Sequence, residues 1–142
     1  FRFPFLAQNM QDFWNRWHIS LSHWCRDHIF FPLMRCFVTR TSDAPGLASS
    51  AFSIFVTFFF VGAWHGDDLH WLLYGVYHGT GLALWLVYSK TFARLTPAFY
   101  ERLQANGLYT VFSTLLTFSY VAWGLVLTLG LEAVEKILLR FY

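Results

Sequence analysis

Three apolar runs dominate the chain from residue 47 onward, each bounded by polar or turn-forming residues. Leu47 to His65 contains no Asp, Glu, Lys or Arg and approaches the roughly 20 residues that a helix needs to cross hydrocarbon. Gly66-Asp67-Asp68 breaks it. Leu69 to Tyr88 is a second run, interrupted by His70, His78 and several glycines. Ser89 to Gly107 reads as a polar connector with Lys90, Arg94, Pro97, Glu101 and Arg102. Leu108 to Leu131 is the cleanest run, its only ionisable groups being Tyr109 and Tyr120, and Glu132 to Tyr142 reads as a short amphipathic tail. The pattern predicts membrane helices over 47–65, 69–88 and 108–131.

Residues 8–37 follow a different pattern. Phe13, Trp17, Leu21 and Trp24 recur at helical spacing, with Asp12, Arg16, His18, His23, Arg26 and Asp27 between them. Such a segment is too polar to face lipid, and it fits helices lying at the interface or re-entering the protein. Pro32 is expected to bend or end that element near Phe31. Thr39 to Gly46, with Arg40, Asp43 and Pro45, reads as a loop.

Composition narrows the class. Of 142 residues, 56% are hydrophobic, 22% aromatic and only 13% charged, with a mean hydropathy of +0.42. Charged residues make up about a quarter of an ordinary globular chain, so an all-α integral membrane protein is expected. The net charge of +2 and the lack of a basic stripe exclude nucleic acid as a partner. Cys25 and Cys36 make neither a disulfide framework nor a metal knuckle. Nothing at the start reads as a signal peptide, and Phe1-Arg2-Phe3-Pro4-Phe5 is already rich in apolar residues. Residues 1–142 are therefore expected to be the carboxy-terminal part of one membrane domain whose earlier spans lie outside this sequence. Arg35 and Arg40 before the first span, and Lys90, Arg94 and Arg102 after the second, would share the cytoplasmic side, with Asp67 and Asp68 opposite. Lys136 and Arg140 run mildly against that count.

Two histidines stand where polar side chains are costly. His18 lies in Phe13-Trp14-Asn15-Arg16-Trp17-His18-Ile19-Ser20-Leu21-Ser22, and His65 closes the first apolar run in Gly62-Ala63-Trp64-His65-Gly66. Each is either a satisfied helix contact or part of a reaction centre. Trp14, Arg16, Trp17 and Ser20 would give His18 a pocket with cation–π and hydrogen-bonding capacity. His65, neutral once buried, would suit a general base acting on an acceptor hydroxyl, and Gly62 and Gly66 would let a backbone or substrate come close. His65, His70, Asp67 and Asp68 could in principle hold a divalent ion, but their spacing is a weak signal and no metal is expected. His78 reads as a packing residue whose ring donates to a carbonyl. Asp12, Arg16, Arg26 and Asp27 should form ion pairs. Neither cysteine has an evident activating context.

Taken in order, Phe13 through Ser22, Trp24, Arg26-Asp27, Trp64-His65-Gly66 and Tyr74-Gly75-Val76-Tyr77-His78-Gly79 resemble the carboxy-terminal signature of the membrane-bound O-acyltransferases. The resemblance is close over about residues 1–90; the last span fits by hydropathy alone. It implies a multi-span fold of tilted, horizontal and re-entrant helices around a funnel, with His65 as the family's catalytic histidine and His18 its upstream partner. Trp14, Asn15, Arg16, Trp17, Ser20 and Trp64 would contact substrate. Within the family the chain is most similar to the branch that esterifies teichoic acids with D-alanine. Phe31-Pro32-Leu33-Met34-Arg35-Cys36 stands where the alginate O-acetylase branch has a Gly-Gly-Asn loop, so alginate-type acetylation is the second reading.

The resemblance further implies a thioester donor on the phosphopantetheine of an acyl carrier protein, no bound cofactor, and docking of that carrier at Met34, Arg35, Val38 and Arg40. The acceptor would be a cell-envelope polymer, reached directly or through an accessory extracytoplasmic transferase. The setting would be the lipid of a bacterial cytoplasmic membrane, crossed several times. Readings of other classes are a transporter or channel module using the histidines as proton relay, and a haem-bearing segment.

Overall fold

The computed structural model describes residues 1–41 and 46–129, with the side chains of 38–41 left aside. Among the described residues every regular element is helical. After a short 3-10 turn at Pro4–Leu6 come α1 (Met10–Arg16), α2 (Ile19–Cys25), a π-helical turn (Arg26–Phe30) and α3 (Phe31–Thr41). The long helices are α4 (Leu47–His65), α5 (Leu69–Leu95) and α7 (Gly107–Thr128), with the short α6 (Pro97–Gln104) before the last. The amphipathic tail, Glu132 to Tyr142, lies outside the described residues, as do the last residues of the 108–131 run.

Local chemistry sets the ends. The Asn9 side chain caps α1 by accepting from the Asp12 backbone N–H at 2.8 Å. Asn106 does the same for α7 at Leu108 (2.8 Å) and Tyr109 (3.3 Å). Pro97 opens α6, where a missing N–H costs nothing. The boundary expected near Phe31 is there: the π-helical turn ends at Phe30 and α3 begins at Phe31, with Pro32 in its first turn, where its ring is tolerated. Two expectations are corrected. The loop expected from Thr39 begins later, since α3 runs to Thr41, and residues 42–45 lie outside the described residues. The connector expected from Ser89 is helical: α5 continues to Leu95, since Ser89 to Arg94 holds no breaker and Phe92 stacks on Tyr88 at 5.3 Å.

Packing is inverted relative to a water-soluble bundle. α7 buries Ser113, Thr117, Val121 and Gly124, while Leu108, Phe112, Leu115, Leu116 and Trp123 are exposed. α4 likewise buries Ser53, Thr57, Val61 and Gly62 and exposes Phe52 and Phe60. A helix in water buries its apolar stripe. Small and hydroxyl residues inside with large apolar ones outside are what hydrocarbon favours. α4 and α7 are also the two helices, among the described residues, long and apolar enough to cross a membrane.

α4 and α5 are held closest. A Cβ on Gly62 would come 3.0 Å from Gly75 Cα, and one on Gly75 would come 3.1 Å from Gly62 Cα. Neither position has room for a side chain. The glycine at 62 therefore serves the approach of a second backbone, that of α5. The core lies beside this crossing, where Ala7, Met10, Phe13 and Trp14 meet Tyr74 and Val121.

Candidate active site

His65 is the last residue of α4. Its Nδ1 lies 2.6 Å from the Val61 carbonyl oxygen. A carbonyl only accepts, so Nδ1 carries the hydrogen and the neutral ring keeps its lone pair on Nε2. The ring stacks on Trp71 (4.9 Å, 19°) and meets Trp64 edge-on at 5.1 Å. One tautomer and one orientation are thereby selected. Burial, expected to keep this imidazole neutral, is not its environment within the chain: His65 is exposed. The backbone hydrogen bond is what fixes which ring nitrogen carries the hydrogen and which is left with a lone pair.

His18 begins α2 with left-handed backbone angles, φ 38° and ψ 53°. For a residue with a Cβ this costs about 1–3 kcal/mol, and such strain concentrates at functional sites. The turn also dissolves the expected pocket. α1 ends at Arg16, so residues close in sequence no longer share a helix face. Trp14 turns into the core against Phe58 (4.7 Å) and His78 (5.3 Å). Trp17 stacks on Phe13 at 5.8 Å, and Ser20 points to solvent. Arg16 donates to Asp12 at 2.7 Å, which raises its pKa further, chiefly through that hydrogen bond. Among the described residues, Phe1 is the one ring packed edge-on to His18, at 5.9 Å. The cation–π contact forms elsewhere, between Arg26 and Phe31 at 5.8 Å. Arg26 also donates to Asp27 at 2.9 Å, and this bond holds the Asp27 carboxyl below its ordinary range.

Two apolar cavities lie between the helices that carry the two histidines. One, of about 340 Å³, lies between α1, α2, α4 and α5; its walls include Trp14, Leu21, Ile54, Val61 and Trp85, and its rim Gln11, Asn15, His23 and Arg26. The second, of about 310 Å³, is bounded by Leu21, Trp24, Cys25, Phe60, Val61 and Trp64. Leu21, Cys25 and Val61 line both. His18 precedes Leu21 by one turn and His65 follows Val61 by one turn. Neither histidine is itself part of the wall of either cavity. Among the described residues no hydrogen bond or ring contact joins His18 to His65.

The remaining candidates divide. Asn15 is exposed on the rim of the larger cavity, and Trp64, 73% exposed, borders the smaller. Met34 is half-buried and Arg35 exposed on α3; the side chains of Val38 and Arg40 lie outside the described residues. Among the described residues, no three His, Cys, Asp or Glu converge as metal ligands. Burial pushes the Cys25 thiol up, which disfavours a thiolate nucleophile there. Gln11, His23, Arg26 and Cys25 were not anticipated as cavity residues. The four-residue spacing of Leu21 and Cys25 was the one signal that could have found part of this lining.

His78 departs from expectation. It is 1% exposed, and neither ring nitrogen has a hydrogen-bond partner among the described residues, nor has the adjacent Trp14 Nε1. The carbonyl partner expected for it is missing because aromatic rings surround it. Tyr74 (4.5 Å), Tyr77 (5.4 Å) and Trp14 contact the imidazole, and Gly124 of α7 faces Nε2 with its Cα side.

Residues 4–112 match the family model of the membrane-bound O-acyltransferases. A teichoic acid D-alanyltransferase of Bacillus subtilis is 31% identical over 92% of this chain and 32% of its own length. That of Streptococcus thermophilus is 32% identical over 80% of the chain and 30% of its own. A probable alginate O-acetylase of Pseudomonas fluorescens is 33% identical, over 59% of the chain and 16% of its own length. The chain thus spans about a third of the length of the D-alanyltransferases it matches.

Proposed function

The chain belongs to the membrane-bound O-acyltransferase family, and from that premise we propose that it forms the reaction centre of an enzyme that moves D-alanine from a carrier-protein thioester to a hydroxyl of a teichoic acid. The observation that supports this best is the His65 Nδ1 bond to the carbonyl of Val61, a residue of both cavity walls, which leaves the hydrogen-free lone pair on Nε2. Similarity to D-alanyltransferases runs through most of the chain, whereas similarity to alginate O-acetylases covers 59% of it.

In the proposed reaction His65 Nε2 takes the hydrogen of the acceptor hydroxyl while the oxygen bonds to the acyl carbon. The carbon–sulfur bond then breaks, and His65 returns the proton to the departing thiolate. His18 positions donor or acceptor, with Asn15 and Trp64 at the cavity edges and Trp14 forming the inner wall. The phosphopantetheine arm is substrate and arrives on its carrier; no resident cofactor is invoked. Arg35 and Met34 of α3, with Val38 and Arg40, would receive the acidic carrier on the cytoplasmic side. The acceptor polymer, or an accessory extracytoplasmic transferase, would engage the opposite side.

The same reading takes α4, α5 and α7 as spans of a multi-pass protein of the bacterial cytoplasmic membrane, with α1 to α3 interfacial or re-entrant. Residues 1–142 would be the carboxy-terminal portion of its single domain. The test uses membranes holding the intact protein, supplied with carrier bearing radiolabelled D-alanine and, in parallel, with an acetyl donor. Transfer of D-alanine to polymer hydroxyls supports the reading, and transfer of acetyl alone would replace it with the alginate-type one. Proton-coupled flux with no acyl transfer would move the chain to the transporter class.

A further inference from the structure

A third cavity, a polar cleft of about 600 Å³, opens where α1 meets the far end of α5 and α6. Its lining is unlike that of the two apolar cavities: Gln8, Gln11, Asn15, Ser89, Lys90 and Tyr100 supply amides, hydroxyls and one ammonium. Lys90 is exposed and has no ion-pair partner among the described residues. Asp12 also borders the cleft, but its charge is already engaged, Oδ1 by Arg16 at 2.7 Å and Oδ2 by the Gln8 backbone N–H at 3.2 Å. The one uncompensated charge at the cleft is therefore positive.

The surroundings have the character of a membrane interface. Tyr88, Phe92, Phe99 and Tyr100 form a ring cluster beside the cleft, with Phe92 at 5.3–6.0 Å from the other three. Arg94 and Arg102 are exposed nearby in sequence, and Val87, Leu95 and Phe99 offer exposed apolar surface alongside. Basic residues, an aromatic belt and apolar surface meet at one edge of a cleft full of hydroxyl-binding groups.

We propose that this cleft holds the headgroup of an anionic phospholipid of the phosphatidylglycerol class. Lys90 takes the phosphate, the Gln8 and Gln11 amides and the Tyr100 hydroxyl take the glycerol hydroxyls, and the acyl chains lie against the outer face of α5 and α6. A phosphate ester with free hydroxyls is the chemistry selected. A choline headgroup has neither the net negative charge nor the hydroxyls. The inference rests on the membrane setting and not on the identity of the acyl group transferred.

The test uses the intact protein in detergent, titrated with dihexanoylphosphatidylglycerol, dihexanoylphosphatidylcholine and soluble glycerol 3-phosphate. The expected preference for the glycerol lipid over the choline lipid is about tenfold, the size of one charge-assisted hydrogen bond. Lys90→Gln should bring the ratio close to one, and Lys90→Arg should keep it. A ratio unchanged in Lys90→Gln overturns the assignment. Glycerol 3-phosphate binding as tightly as the lipid overturns it too, because it makes a soluble phosphate ester the ligand. Binding is read directly, so failure here and failure of acyl transfer are separate results.

Discussion

Tyr77 and Tyr120 exchange hydrogen bonds, each hydroxyl donating to the other's backbone carbonyl, at 3.0 Å from Tyr77 and 2.6 Å from Tyr120. Their rings stack at 4.1 Å. The pair ties α5 to α7 at two points 43 residues apart in sequence. Each phenol-to-phenyl change removes one of the two bonds and leaves the stacked rings, so each should cost about 1 kcal/mol in thermal unfolding in detergent. Tyr77→Phe and Tyr120→Phe both unfolding at the wild-type midpoint would mean that the reciprocal bonds are not made.

The glycine crossing of α4 and α5 gives a second expectation. Gly62→Val drives a side chain into the α5 backbone and should destabilise by about 1–3 kcal/mol or more. Gly46→Ala, where nothing lies within 4 Å, should stay within about 0.5 kcal/mol of the parent. Equal effects of the two changes on the unfolding midpoint would remove the close crossing from the account.

Trp14 lies between Phe58 and His78 with its Nε1 unpartnered. Trp14→Ala should cost about 3–5 kcal/mol through the space left behind. Trp14→Phe keeps most of the packing and removes the unpartnered donor, so it should change stability by less than about 1.5 kcal/mol. If Trp14 only walls the cavity, D-alanyl transfer should survive the phenylalanine change. Loss of transfer at unchanged stability would give its indole nitrogen a direct part in binding.

Cys25 is 6% exposed and burial raises its pKa, whereas Cys36 is exposed. A raised value favours the protonated thiol in the folded protein. That contribution to stability is complete below the unfolded thiol's range and is lost as pH rises through the folded value. Alkylation at pH 8 should therefore be slower at Cys25 than at Cys36 by roughly tenfold or more, since access and thiolate fraction both fall. Mass spectrometry of partially labelled protein measures it, and equal rates would contradict the placement of Cys25 between the two cavities.

Much of the helical framework was legible in the sequence. The bounds of α4 coincide with the apolar run because Gly46 and Gly66-Asp67-Asp68 punctuate it sharply. α5 outran its expected end because polar residues from Ser89 on do not stop a helix; only Thr96-Pro97 does. The site was less legible. Local crowding around His18 points to a pocket, yet α1 ends at Arg16, Trp17 is extended and His18 left-handed, and Trp14, Arg16 and Trp17 go to separate partners. The cavities join residues from four helices, and no local pattern announces them. The Val61 carbonyl that orients His65 is a backbone group, which no side-chain motif reports.

The central claim is that His65 Nε2, exposed by the bond of Nδ1 to Val61, is the base of an O-acyl transfer. The most direct measurement is D-alanine transferred per minute from charged carrier to acceptor by intact wild-type protein and by His65→Ala, with equal folded protein verified in both. The account predicts a loss of about 10²-fold or more, the scale of a general base. Transfer by His65→Ala at near the wild-type rate would contradict it.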